Sequence, residues 1–276
     1  MAITYVSAFL LQQQGRAKHD FEDYCLHFET LAASGLLIAL FLDQKLPAVV
    51  SARFNRFPNV RIVAYVTLAE TALCRALFGK TVQLPQHRDE PDSLEYMLIG
   101  NSKLEWLQRA ARANPFATSH FAWIDFGIAH ILTAPEATLG ALKSFEPRYP
   151  IIAPGCYRRN PYNDAQIWSQ ICWHYCGGFL VCDAAHAEYL NDEFLHCVSV
   201  ESPRFSWDVN FWALLELRYG VPFRWYQAEF DDSLLSPPPA MWRDGTYGIA
   251  LDLAQSGTNP GETYLGDRRV SVADPE

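Results

Sequence analysis

Along the first quarter of the chain, apolar positions switch between two periods. Residues 3–10 form a short apolar run that predicts a strand, and 21–31 place Phe21, Tyr24, Phe28 and Leu31 on one helical face. Asp20 stands where a side-chain cap for that helix is needed. Gly35 stops the helix, and the uninterrupted run 36–42 predicts a strand covered on both faces. A Pro-containing connection with a short helix then leads to a third strand at 59–66. Strand and helix alternating in this way imply a largely parallel sheet with right-handed crossovers.

Farther on, the pattern predicts a helix over 71–78, a polar loop over 85–91, and one long helix over 93–113 that Asn114-Pro115 ends. Residues 119–125 form an apolar run closing on an acid. Thr133-Ala-Pro-Glu136 has the capping-box spacing and predicts a helix reaching 145. Further strands are expected at 149–153, 178–182, 197–200 and 223–227. Asp183 is placed to cap a helix ending near 194, and Ser206 one over 207–219 that Gly220 and Pro222 stop. The sum is one α/β domain over 1–235, a mostly parallel sheet flanked by helices, with a Pro- and Gly-rich extension over 236–276.

Composition narrows the partners. At 276 residues, half of them apolar, the chain can bury a large core, and its net charge of −9 shows no basic stripe for polymeric nucleic acid. The basic pairs Arg53/Arg56, Arg109/Arg112, Arg158/Arg159 and Arg268/Arg269 suit one or two phosphates, or are solvated surface pairs. Seven Cys without paired spacing point to a reducing cytoplasm rather than a disulfide framework. A zinc site could draw on Cys172, His174, Cys176, Cys182, His186, His196 and Cys197, although 172–176 reads as a buried strand. The early apolar run is interrupted at Gln12–Gln14 and Arg16, so no secretory signal is expected. The run 36–42 is too short to span a bilayer, leaving at most peripheral membrane contact.

In an open parallel sheet, ligands bind beyond the carboxyl ends of the strands, which selects Asp125. Gly127 lets backbone approach a ligand, and a carboxylate here can hold a divalent ion and through it a diphosphate. Equally, Asp125 can cap the turn after its strand. No GxxxxGK[ST] loop, GxGxxG turn or GxSxG elbow is present.

Asn101-Ser-Lys103, Asn114-Pro115-Phe116 and Trp123-Ile-Asp125-Phe-Gly127-Ile128 resemble the HtrL/YibB family, as do Gly177-Gly178-Phe179 and Asp208 within Ser206–Asn210. The resemblance runs in order over roughly residues 3–230, with 101–128 the distinctive block. It implies a GT-A-type glycosyltransferase of surface polysaccharide or lipopolysaccharide synthesis, taking a nucleotide sugar, UDP-linked by preference, and a glycan or glycolipid acceptor. Asp125 then matches the metal-binding acid of a DxD-like motif holding Mn2+ or Mg2+, and Gly127 replaces the second acid. Lys103 matches a lysine near the donor, Gly177 and Gly178 a backbone surface for a sugar, and Asp208 a general base. Each position has a structural alternative: a solvated helix Lys, a strand bulge, and an acid complementing a helix dipole. Arg53 is a further phosphate candidate, Asp231-Asp232 a further metal candidate or a loop start, and Trp123, Trp173 and Trp207 are candidate stacking surfaces or core. The rival functions are a non-catalytic nucleotide-sugar or glycan-binding protein, which the glycine at 127 favours, and a metal-dependent phosphoester hydrolase.

Overall fold

The apolar run expected to be covered on both faces lies inside the sheet, between two parallel neighbours. In the computed structural model, which describes residues 2–12, 20–85, 93–156 and 163–243, seven strands form one sheet. They are β1 (Ile3–Phe9), β2 (Leu37–Asp43), β3 (Val60–Val66), β4 (His120–Ile124), β5 (Ile151–Cys156), β6 (Phe179–Asp183) and β7 (Arg224–Ala228), in the order β3-β2-β1-β4-β6-β5-β7. Only β6 runs against the others, pairing antiparallel with β4 and β5. The helices are α1 (Phe21–Ala33), α2 (Ala48–Asn55), α3 (Ala72–Leu77), α4 (Leu94–Asn101), α5 (Lys103–Ala113), α6 (Pro135–Lys143), α7 (Asp164–Ser169), α8 (Ala184–Glu201) and α9 (Asp208–Tyr219). The expected α/β architecture with a mostly parallel sheet is met.

Strand alternation builds two cores. Val6, Phe41 and Trp123 face one side, with Leu107 of α5, Leu190 of α8 and Trp212 of α9. Tyr5, Leu40 and Ile124 face the other, with Phe28 of α1, Phe54 of α2 and Leu139 of α6. Each layer covers a face of the sheet, with Arg61 and Tyr65 of the edge strand β3 left exposed.

Local signals succeeded where a side chain serves its own helix. The carboxylate of Asp20 accepts from Asp23 N, Ser93 Oγ from Tyr96 N, and the carboxylate of Asp183 from His186 N. Asn114 (φ 37°) and Gly220 (φ 66°) end α5 and α9 in the left-handed region.

Several expectations are corrected. The helix over 93–113 is two helices, broken at Ser102 (φ −82°, ψ 0°), so Lys103 begins a new one. Residues 197–200 are not a strand but the last turns of α8, which runs seven residues past 194 to Glu201 and buries Cys197 and Val198 on its core face. Ser206 does not cap α9; its hydroxyl donates to Ile167 O, and the helix starts at Asp208 without a side-chain cap. The capping box at Thr133 does not form. Asp232, 99 residues away, instead accepts from Thr133 N and from Thr133 Oγ1, and also from Ala134 N and Thr138 Oγ1. Residues 172–176 are an irregular connection, not a strand. A short helix that the hydrophobic pattern did not suggest, α7, carries a capping box from Asn163 and Gln166. Of the extension, 236–243 packs back through Trp242, whose ring meets Phe145 edge-on; 244–276 lie outside the described residues, as do Arg158, Arg159, Arg268 and Arg269.

Candidate functional site

The reversal of β6 assembles the site. Because β6 runs against β4, its first residues lie beside the last residues of β4: Ile124 pairs with Phe179, and Asp125 N donates to Gly178 O at 3.0 Å. Gly177 and Gly178, in the turn just before β6 rather than within a strand, thus meet Asp125 at the carboxyl end of β4. The break at Ser102 starts α5 at Lys103, and its ammonium donates to Gly177 O at 2.8 Å. It also forms ion pairs with Asp208 Oδ2 at 2.7 Å and Asp125 Oδ1 at 3.3 Å. Lys103, Asp125, Gly177, Gly178 and Asp208, all singled out in the sequence, converge here.

Side chains close in on all three glycines. A Cβ at Gly177 would lie 2.6 Å from Asp208 Oδ2 and 2.9 Å from Lys103 Nζ. At Gly178 it would come within 2.9 Å of Ile128 Cδ1, and at Gly127 within 2.8 Å of Tyr24 Cδ1. Gly127 therefore packs against the Tyr24 ring, which fills the space that a second acidic side chain of a DxD-like motif would enter.

Trp123 and Tyr24 were not assigned polar roles from the sequence. The Trp123 indole N–H donates to Asp125 Oδ1 at 2.6 Å, and its ring lies 5.8 Å from the Lys103 ammonium. Tyr24 reaches the site from α1; burial, and next the Asp125 charge, push its phenol pKa up. The i, i+3 spacing marked Tyr24 as a helix-face residue only, with no signal of what it would face.

The Lys103 side chain is 12% exposed, against 40% for Asp125 and 15% for Asp208. Burial alone would lower the pKa of the amine. The charges of Asp125 and Asp208 outweigh it, so its pKa is raised and it stays an ammonium. Two carboxyl groups thus face one ammonium. Lys103 and Trp123 reach Asp125 through Oδ1 and Lys103 reaches Asp208 through Oδ2, so these contacts use one oxygen of each carboxylate.

This donor set does not suit a resident divalent ion. An ion shared by the two acids would displace Lys103 or sit beside it. At an effective dielectric near 20, +2 and +1 charges about 4 Å apart repel by about 8 kcal/mol. No group of three or more His, Cys, Asp or Glu poised for a metal occurs among the described residues. The expected ion on Asp125 thus finds Oδ1 already held by Lys103 and Trp123, and no second acid at position 127.

Other candidates are engaged elsewhere. Arg53 is held by Glu29 at 2.6 Å and Glu22 at 2.7 Å, both on α1, with no contact to the Lys103 cluster among the described residues. Asp232 accepts from the backbone N–H groups of Thr133 and Ala134 just before α6, and Asp231 accepts from Ser233 N and Oγ. The zinc alternative is not assembled: His174 is bound to Glu216 at 2.7 Å, His186 to Asp183 at 2.8 Å, and Cys182 and Cys197 are core. Trp123 and Trp207 are buried, whereas Trp173, at φ 50°, is 41% exposed. Among the described residues no helix is long and apolar enough to cross a membrane.

Among curated proteins, none matches the chain. Among solved structures, the apo crystal structure of mouse xyloside xylosyltransferase 1 shows a distant similarity. It is 11% identical with a TM-score of 0.42, over 81% of this chain and 84% of that one. Residues 68–150, which include Lys103, Asp125 and Gly127, match the model of the HtrL_YibB family, described as bacterial proteins of unknown function, and the resemblance seen in the sequence is to that family.

Proposed function

We propose that the chain transfers a sugar from a nucleoside-diphosphate donor, UDP-linked by preference, to a hydroxyl of a glycan or glycolipid. The observation that carries this reading is the gathering of Asp125, Asp208 and the Gly177 carbonyl around the Lys103 ammonium at the carboxyl end of β4. Four separated stretches of chain contribute, as at a ligand site beyond the carboxyl ends of the strands. The GT-A-type resemblance supplies the reaction class.

Four groups share the work. The contact from Lys103 to Asp125 is the longest of its three, and Asp125 Oδ1 already accepts from Trp123, so the ammonium can turn one N–H toward a departing phosphate oxygen. Asp208 accepts the acceptor hydroxyl's proton on Oδ1 while Oδ2 stays with Lys103. Asp125 Oδ2 receives hydrogen bonds from sugar or ribose hydroxyls. Gly177 and Gly178 let a ring lie close to the backbone. No step passes through the Mn2+ or Mg2+ expected from the resemblance.

Incubating the full chain with UDP-, GDP-, CDP- and ADP-sugars and candidate glycans, with and without Mn2+, tests this reading. Sugar transfer with release of the nucleoside diphosphate is expected, and Asp208→Asn should retain donor binding but lower turnover by about 10²–10⁴-fold. Donor binding without turnover on any acceptor supports instead a binding protein, the reading favoured by the missing second acid at Gly127. Phosphate release from simple esters supports a hydrolase, and binding of no nucleotide at all overturns the proposal.

A further inference from the structure

The Lys103 ammonium has three oxygen neighbours, each from a different segment: Asp208 Oδ2 at 2.7 Å, Gly177 O at 2.8 Å and Asp125 Oδ1 at 3.3 Å. Two carboxylates and a backbone carbonyl are hard oxygen donors of the kind that hold a divalent cation. Here a side chain fills the space between them. Lys103 opens α5, where a positive charge opposes the helix field, so helix formation gives no reason for a lysine at this position. The surroundings are shaped to its end group, because a Cβ at Gly177 would lie 2.9 Å from the ammonium and 2.6 Å from its Asp208 partner. Nor can a second acid enter from Gly127, where a Cβ would meet the Tyr24 ring at 2.8 Å.

We propose that Lys103 is a tethered substitute for a divalent ion: its ammonium fills the cation position shared by Asp125, Asp208 and the Gly177 carbonyl, and the chain takes a divalent ion there only when Lys103 is removed. The proposal rests on these residues forming one site and not on the reaction assigned to it. For the reaction proposed above it means that donor binding is independent of divalent ions.

Titration of the full chain with Mn2+, followed by loss of the free-ion electron paramagnetic resonance signal, tests the cation position without any nucleotide. The wild-type chain is expected to leave the signal at its free-ion level. Lys103→Ala should gain one site that binds Mn2+ about tenfold or more tightly than the wild type does, since two acids and a carbonyl are then exposed to the ion. Adding Asp208→Asn to that variant should abolish the gain. Stoichiometric Mn2+ binding by the wild type that Asp125→Asn removes overturns the proposal, as does a folded Lys103→Ala chain that gains nothing.

Should Lys103→Ala fail to fold, the wild-type titration still decides, together with calorimetric titration of UDP in EDTA and in Mn2+. Equal UDP affinity in the two supports the proposal, and a requirement for Mn2+ overturns it. If UDP, GDP, CDP and ADP bind in neither condition, the glycosyl-transfer reading fails, while the Mn2+ titrations still judge the role of Lys103.

Discussion

Two cations in this molecule each stand between two carboxylates, and they do different things. Arg53 on α2 reaches Glu22 and Glu29, both on α1, and so ties one helix to its neighbour at a partly exposed edge. Lys103 reaches Asp125 after β4, Asp208 at the start of α9 and the carbonyl of Gly177 before β6, and it is 12% exposed. Arg53 therefore works as a surface clasp, whose contribution water and salt largely screen. Lys103 joins segments that meet only in the finished fold, where removing one partner leaves charges uncompensated. Spacing to an acid does not separate the two; the number of segments joined does.

Lys103→Met breaks the comparison hardest. It leaves Asp208 and Asp125 facing each other without their cation, with an expected loss of about 2–4 kcal/mol, reduced from the fully buried case because Asp125 is 40% exposed. Urea unfolding measures it. A raised lysine pKa contributes stability below its ordinary value, near 10.4, and loses it only as pH rises past the higher folded value. The deficit should therefore stay flat between roughly pH 6 and 9, and a steep change inside that window would contradict the account.

Next in size comes Gly177→Ala, which presses a methyl group on Asp208 and Lys103 together. A loss of about 1–3 kcal/mol is expected, and with it the turnover, while a neutral outcome in both would mean that the cluster can shift. Asp232→Ala removes the shared acceptor of Thr133, Ala134 and Thr138 and should cost about 1–2 kcal/mol in thermal or urea unfolding. Burial would raise the Asp232 pKa, but the hydrogen bonds from Thr133, Thr138 and Ala134 outweigh it, and the value is lowered. Its contribution is thus full above the ordinary Asp value near 4 and lost as pH falls through the lower folded value. Wild type and variant should accordingly converge in acid.

Arg53→Gln is the smallest change, under about 1 kcal/mol and shrinking further in high salt. It should leave UDP affinity unaltered. A large drop would return Arg53 to the donor site and end its reading as a clasp.

Much of the fold was legible in the sequence. Apolar runs at 36–42 and 59–66 located two strands, and Asp20 and Asp183 marked true caps because each accepts from a backbone N–H three residues on. The same logic failed at Thr133, Ser206 and 197–200. Thr133 had the right spacing but a stronger acceptor, the Asp232 carboxylate, arrived from 99 residues away. The Ser206 hydroxyl found Ile167 O, and Cys197 and Val198 form part of the buried face of α8. Tyr24 was placed on its helix face, but its packing against Gly127 could not be read locally.

The sequence by itself determined the kinds of element and most of their limits, because periodicity, caps and left-handed glycines act over one or two turns of chain. It also marked Asp125, Lys103, Asp208 and the two glycines as residues of interest. Only the tertiary structure decided that they meet. β6, read as Phe-Leu-Val-Cys-Asp, is apolar enough to be buried on both faces and carries no signal of its direction. Its reversal brings Gly177 and Gly178 to Asp125, and the break at Ser102 starts α5 with Lys103 beside them. Such choices depend on which packing of the whole sheet buries the most apolar surface, and no local pattern holds that information.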